Sequence, residues 1–150
     1  MDTTDRQILT ELQRDGRLTV TELADRVRLS LSPCHRRLRA LEQSGVITGY
    51  RAVLDPTRLG LRFEALVFVT LAVGTRDRLA EFDHALAHVP DVVRAQRLFG
   101  DPDYLLTVLV RDQDAFQQLY DEHLAALPGV QRLTSTLVMK DIVTDRPLPI

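Results

Sequence analysis

Thr19-Val20-Thr21-Glu22-Leu23-Ala24-Asp25-Arg26-Val27-Arg28-Leu29-Ser30-Leu31-Ser32-Pro33-Cys34-His35-Arg36-Arg37-Leu38-Arg39-Ala40-Leu41-Glu42-Gln43-Ser44-Gly45 is the stretch on which the reading of this chain turns. Thr19-x-x-Glu22 is a capping box: the Thr hydroxyl accepts from the third helical amide and the Glu reaches back to the cap amide, so a helix begins here. Leu23, Ala24 and Val27 make its buried face. Leu29-Ser30-Leu31-Ser32-Pro33 then supplies a turn, an N-cap hydroxyl and a proline whose missing N–H costs nothing in a first turn. The next helix runs to Gly45. Its apolar positions Cys34, Leu38 and Leu41 recur at four and three, which turns His35, Arg36, Arg39 and Gln43 towards solvent or a partner.

Upstream, Asp2-x-x-Asp5 starts a first helix with Ile8, Leu9 and Leu12 on its apolar face, and Asp15-Gly16 stops it. Downstream of Gly45 the period changes to two, and Val46 to Leu54 reads as a strand ended by Asp55-Pro56. The pattern continues as strand Phe63 to Val73, helix Arg78 to His88, strand Val92 to Phe99, a turn at Gly100-Asp101-Pro102-Asp103, strand Tyr104 to Val110, helix Ala115 to Leu127 and strand Val130 to Met139. The order βαββαβ is the split-βαβ, ferredoxin-like pattern: a four-stranded antiparallel sheet with both helices on one face. The fold class is α+β. Residues 1–48 form a helix-turn-helix domain, 49–61 a strand and linker, and 62–150 the ferredoxin-like domain. The other face of the sheet, built from Leu66, Phe68 and Thr70 or their alternates, needs covering at this size, and a second subunit is the simplest cover.

The 150 residues, 45% hydrophobic and 27% charged, are an ordinary globular composition. The one cysteine excludes a disulfide scaffold and suits a reducing compartment. No basic-then-apolar leader opens the sequence, and the longest apolar run, Ala65 to Val73, is too short to span a bilayer. The cytoplasm is the expected location, with no membrane partner. Net charge is −2, but the balance is uneven: residues 1–60 hold ten Arg against eight Asp or Glu, while the rest hold nine basic and thirteen acidic residues. Arg26, Arg28, Arg36, Arg37 and Arg39 form a run uninterrupted by acids, which reads either as a solvated face or as an anion-facing surface.

Two helices joined by a short turn, the second basic outward and apolar inward, match a DNA-reading helix-turn-helix. A helix entering the major groove needs small hydrogen-bonding residues in its first turn and guanidinium groups beside them for phosphates and guanine edges. Ser32, His35, Arg36 and Arg39 meet that demand. Arg37 is either a further phosphate ligand or a structural partner for Glu42 or an acid of helix one.

Competing chemistries are weaker. His84 and His88 stand at i, i+4, but no third ligand is near, and no metal or cofactor is expected. Cys34 and His35 point about 100° apart on a helix, so they form no catalytic pair. The acids Asp101, Asp103 and Asp112 lack a His or Lys base at an interpretable spacing, and no enzyme is expected. Gly100-Asp101-Pro102-Asp103 is either a plain β-turn or a loop whose amides and carboxylates hold a zwitterion. The alternative for the whole chain is a ferredoxin-like metabolite-binding or catalytic protein with a basic N-terminal assembly domain.

Asp5-Arg6-Gln7-Ile8-Leu9, Leu12 to Leu18, Glu22-Leu23-Ala24, Leu29-Ser30, Pro33-Cys34, Arg37-Leu38, Leu41-Glu42 and Gly45-Val46-Ile47, followed by Gly49 to Pro56, Leu59-Gly60, Gly100 to Leu106, Leu127 to Val130 and Thr134-Ser135-Thr136, together resemble an Lrp/AsnC regulator over essentially the whole chain. The resemblance implies an amino-acid-responsive transcription factor that binds double-stranded DNA, dimerises through its second domain and assembles further, to an octamer for instance. It also implies an effector site at Gly100, Asp101 and Asp103 with Thr134, Ser135 and Thr136 of the last strand close by. One departure is Arg28, where the family often carries Gly because the backbone there favours positive φ; a side chain at such a position costs on the order of 1 kcal/mol.

Overall fold

A computed structural model describes residues 1–72 and 75–150, and the chain divides into two compact units, Met1–Val53 with Ile142–Ile150, and Leu54–Asp141. The first unit holds α1 (Thr3–Arg14), α2 (Val20–Arg26) and α3 (Leu31–Gln43). The expected capping box at Thr19 and Glu22 forms, and the Asp2-x-x-Asp5 start of α1 is a second one. The Asp2 carboxylate accepts from the Asp5 amide while the Asp5 carboxylate accepts from the Asp2 amide, each at 2.9 Å. Thr19 and Glu22 do the same, at 3.2 and 2.8 Å. Ser30 occupies the N-cap of α3, but its hydroxyl makes no cap bond. Ile8, Leu9, Leu23, Ala24, Val27, Cys34, Leu38 and Leu41 close the core of this unit.

Between α2 and α3 the backbone takes the left-handed region at Arg28, φ 56°, so the non-glycine residue stands where the turn favours glycine. Downstream of α3, the expected strand Val46 to Leu54 is absent. These residues find no ladder partner among the described residues, and Tyr50, Val53 and Leu54 remain exposed. Alternation supplies a face, but a strand also needs a neighbour to satisfy its amides.

The second unit contains β1 (Phe63–Leu71), α4 (Arg76–Leu86), β2 (Val92–Arg97), β3 (Tyr104–Val110), α5 (Gln113–Leu119) and β4 (Val130–Leu137). The strands make one antiparallel sheet in the order β2-β3-β1-β4, the ferredoxin-like arrangement the pattern implied. The expected end of β1, Val73, lies outside the described residues. The second helix is shorter than expected: its α part ends at Leu119 and continues as a single π turn, Tyr120–Leu124, closed by the Ala125 amide donating to Tyr120 O at 2.9 Å. Leu119 and Leu124, five apart, would stand about 140° from each other on a regular helix. The wider turn lets both enter the core.

Alternation sorts the sheet into two faces. Ala65, Val67, Val69 and Leu71 of β1 are buried with Leu106 and Val108 of β3 under α4 and α5. Leu66, Phe68 and Thr70 lie on the opposite face, level with Thr107 and Leu105 of β3, and none is fully covered. The last nine residues, Ile142–Ile150, group with the helices of the first unit.

Candidate functional site

Helix α3 presents two faces. Cys34, Leu38 and Leu41 are buried, while Ser32, His35, Arg36 and Arg39 are exposed. Burial pushes the Cys34 thiol pKa up, as expected for a core residue rather than a nucleophile. The run of five arginines separates by function. Arg26 pairs with Glu11 of α1 at 3.2 Å. Arg37 donates to both Asp2 and Asp5 at 2.8 Å, tying α3 to the start of α1. The Asp5 amide first, and then the Arg37 guanidinium, hold the Asp2 carboxyl below its ordinary value. Of the two roles the sequence left open for Arg37, this geometry favours the structural partner of helix one over the phosphate ligand. Arg28, Arg36 and Arg39 form no ion pair among the described residues and leave their guanidinium groups available to an anion.

In the second unit, Gly100 and Asp101 meet the ends of β1 and β4 around an open cavity of about 680 Å³ lined by Thr70, Leu71, Gly100, Asp101, Asp103, Gln131 and Arg132. Gly100 takes φ 135°, a conformation only glycine adopts readily. The Asp101 carboxylate accepts from the Thr70 hydroxyl at 3.3 Å and from Arg132 Nη2 at 3.4 Å, and Arg132 also donates to Thr70. An acid and a guanidinium thus stand side by side, both exposed, which suits a ligand carrying both charges. Asp103 does different work. Its carboxylate accepts from the Leu71 amide at 2.7 Å, where the register between β1 and β4 shifts, and its amide donates to Val69 O at 2.9 Å. It braces the loop against β1. Beneath the loop, the Tyr104 hydroxyl donates to Asp83 at 2.7 Å, and burial together with that bond pushes its pKa up to about 12.

Of the residues the resemblance assigned to an effector, Gly100, Asp101 and Asp103 line this cavity. Thr134, Ser135 and Thr136 do not. They lie farther along β4, opposite Phe68, Val67 and Leu66, so that Thr134 and Thr136 share the open face while Ser135 shares the helix-covered one. Sequence reading missed Thr70 and Arg132. Arg132 stands two residues before Thr134, on the same face of the strand, and that period-two relation was the signal available.

Residues 64–148 match the model of the Lrp/AsnC ligand binding domain, and residues 1–48 match a winged helix-turn-helix DNA-binding domain. The chain belongs to the Lrp/AsnC family. Among its Lrp/AsnC relatives, the leucine-responsive regulatory protein of Escherichia coli is 39% identical over 142 residues, covering 95% of this chain and 87% of the relative. The proline dehydrogenase transcriptional activator of Rhodobacter capsulatus is 41% identical, covering 95% and 93%. A transcriptional regulator from Neisseria meningitidis, solved as a complex with L-Met, superposes with a TM-score of 0.94 at 38% identity, over 99% of this chain and 96% of that one. An AsnC family regulator from Agrobacterium tumefaciens gives 0.93 at 36% identity, over 99% and 97%.

Proposed function

We propose that this Lrp/AsnC member is a sequence-specific DNA-binding transcriptional regulator of the cytoplasm that responds to a small amino acid and works as a dimer or larger assembly. The observation that carries the reading is the division of labour in α3: Arg37 is held on Asp2 and Asp5, while Ser32, His35, Arg36 and Arg39 share an exposed face. That face has the chemistry of a groove-reading helix. Arg28, in the turn before it, adds a charge for phosphate.

A free amino acid suits the second unit. Its ammonium group would meet Asp101 and its carboxylate Arg132, two groups now paired with each other across 3.4 Å. The resemblance also assigns Thr134, Ser135 and Thr136 to this ligand, and their place on β4 makes contact with it the finer part of the proposal. The half-covered face around Leu66, Phe68 and Leu105 supports dimerisation through the sheets, and the exposed Tyr50 to Leu54 segment is suited to pair with a partner subunit. A dimer sets two recognition helices about one helical turn of DNA, or a multiple of it, apart, so its operator is roughly palindromic.

Salt-dependent binding to genomic fragments recovered by the purified protein tests the DNA reading. Affinity should fall steeply with salt through counterion release, and Arg36→Ala and Arg39→Ala should each cost about 1–3 kcal/mol if they read guanine, or lower the salt slope by about one if they hold phosphate. Parent-like binding by both variants overturns the α3 assignment; a protein-assembly domain would show no slope on duplex DNA. For the effector, a thermal-shift screen of the twenty amino acids should give a ligand that stabilises the parent and not Asp101→Ala. Equal stabilisation of both moves the site elsewhere.

A further inference from the structure

The helices of the first unit already hold a peptide of this chain. The Leu148 amide donates to Gln13 Oε1 at 2.5 Å, and Gln13 Nε2 donates to Leu148 O at 3.3 Å, across 135 positions of sequence. A primary amide sets a donor and an acceptor side by side as a peptide group does, so Gln13 acts on Leu148 as a neighbouring strand would. The two prolines beside Leu148 could not form such a pair, since they lack the N–H. Leu148 remains 71% exposed, so its backbone and not its side chain makes the contact.

The segment is shaped for that contact. Asp145 takes a left-handed conformation, φ 44°, which Asp adopts more readily than most residues. Pro147 and Pro149 flank Leu148, fix the local backbone near extended values and carry no N–H, so little ordering is needed to present the single amide between them. Beside it runs an apolar groove of about 320 Å³ whose walls include Leu12, Val46, Ile47 and Tyr50 together with Leu148 and Ile150. Among the described residues, neither hydrophobic core draws a side chain from residues 142–150, so the docking is added to units that close without it.

We infer that Ile142–Ile150 is a built-in ligand of the helix-turn-helix unit, clamped by Gln13, which ties that unit a second time to β4. The first tie is the chain at Val53 and Leu54, and the second leaves β4 and enters the helical unit after Asp141. Arg132, at the start of β4, lines the cavity proposed for the effector. A ligand that draws on Arg132 therefore acts on the strand whose continuation is clasped to the DNA-binding helices. The docking stands by itself, whereas this coupling rests on the function proposed above.

Amide exchange in the full chain tests the docking. The Leu148 amide, followed individually by NMR, should exchange at least tenfold faster in Gln13→Ala than in the parent, with the amides of α1 to α3 unchanged. Equal rates overturn the clamp. As a second measurement, a dye-labelled peptide of residues 142–150 should bind the chain ended at Asp141, at least tenfold more weakly when that chain also carries Gln13→Ala; absence of binding overturns the docking. Coupling is read separately, as the change in DNA affinity produced by the amino acid found in the thermal-shift screen. That change should shrink at least threefold in the chain ended at Asp141, and an unaltered response overturns the coupling. A parent that binds no duplex DNA would overturn the proposed function instead, and the exchange rates would still decide the clamp.

Discussion

Single side chains in this protein owe their roles to distances that no local pattern contains. Arg37 and Arg39 are both arginines of one helix, yet Arg37 is spent on Asp2 and Asp5 while Arg39 has no acid partner among the described residues. The sequence leaves Arg37 open because its partners lie more than thirty positions away, and only the packing of α3 on α1 decides between them. Asp103 is a similar case, since its acid character suggests a ligand whereas its geometry makes it a brace for Leu71. Tyr104 leads to a pH prediction. Its phenol pKa is raised to about 12, so the folded chain holds that proton more tightly than the unfolded one. The stability it contributes is fully present below the ordinary tyrosine value and is lost as pH rises through the folded one. Tyr104→Phe should cost about 1 kcal/mol near neutral pH through the lost bond to Asp83, and should flatten the alkaline loss in thermal unfolding between pH 10 and 12.

Elements whose start and stop signals are local were legible. The boxes at Asp2 and Asp5 and at Thr19 and Glu22 fix α1 and α2 with residues three apart, whereas the glycine-favouring turn at Arg28 was indicated only by the family resemblance. Replacing that side chain by glycine relieves the left-handed backbone, so Arg28→Gly should raise the unfolding free energy of the helical unit by about 1 kcal/mol in a denaturant titration. The segment Val46 to Leu54 failed for the opposite reason. Its alternation was real, but whether an extended stretch becomes a strand depends on a partner, and none is found among the described residues. On β4, the cavity takes in Gln131 and Arg132, while the threonines and the serine lie farther along the strand. The shift in register between Thr70 and Leu71, invisible in the sequence, falls at the cavity wall.

The molecule as a whole is two small cores on one chain, and each is near the size at which burial alone gives modest stability. Association would remedy this, and the sheet face proposed for it carries Leu66, Phe68 and Leu105, none fully covered. A charge there should be tolerated in an isolated unit and resisted in an assembled one. Phe68→Asp is accordingly expected to sediment as a monomer at micromolar concentration, where the parent is expected to sediment as a dimer or larger, with its circular dichroism unchanged; a variant that remains a dimer would place the interface elsewhere.

The sealed position of Cys34 gives the helical unit a private clock. It is the one thiol of the chain and has no accessible surface. A thiol-reactive dye therefore finds nothing to modify until that core opens, and the labelling rate at increasing dye concentration measures the opening of the helices without any signal from the sheet. DNA bound on the opposite face of α3 should slow labelling in proportion to its occupancy, since whatever binds only the closed unit lowers the population of the open one. An amino acid bound in the second unit should change the same rate only to the extent that the two units communicate, so one chemical reaction reads out their conversation in the intact protein.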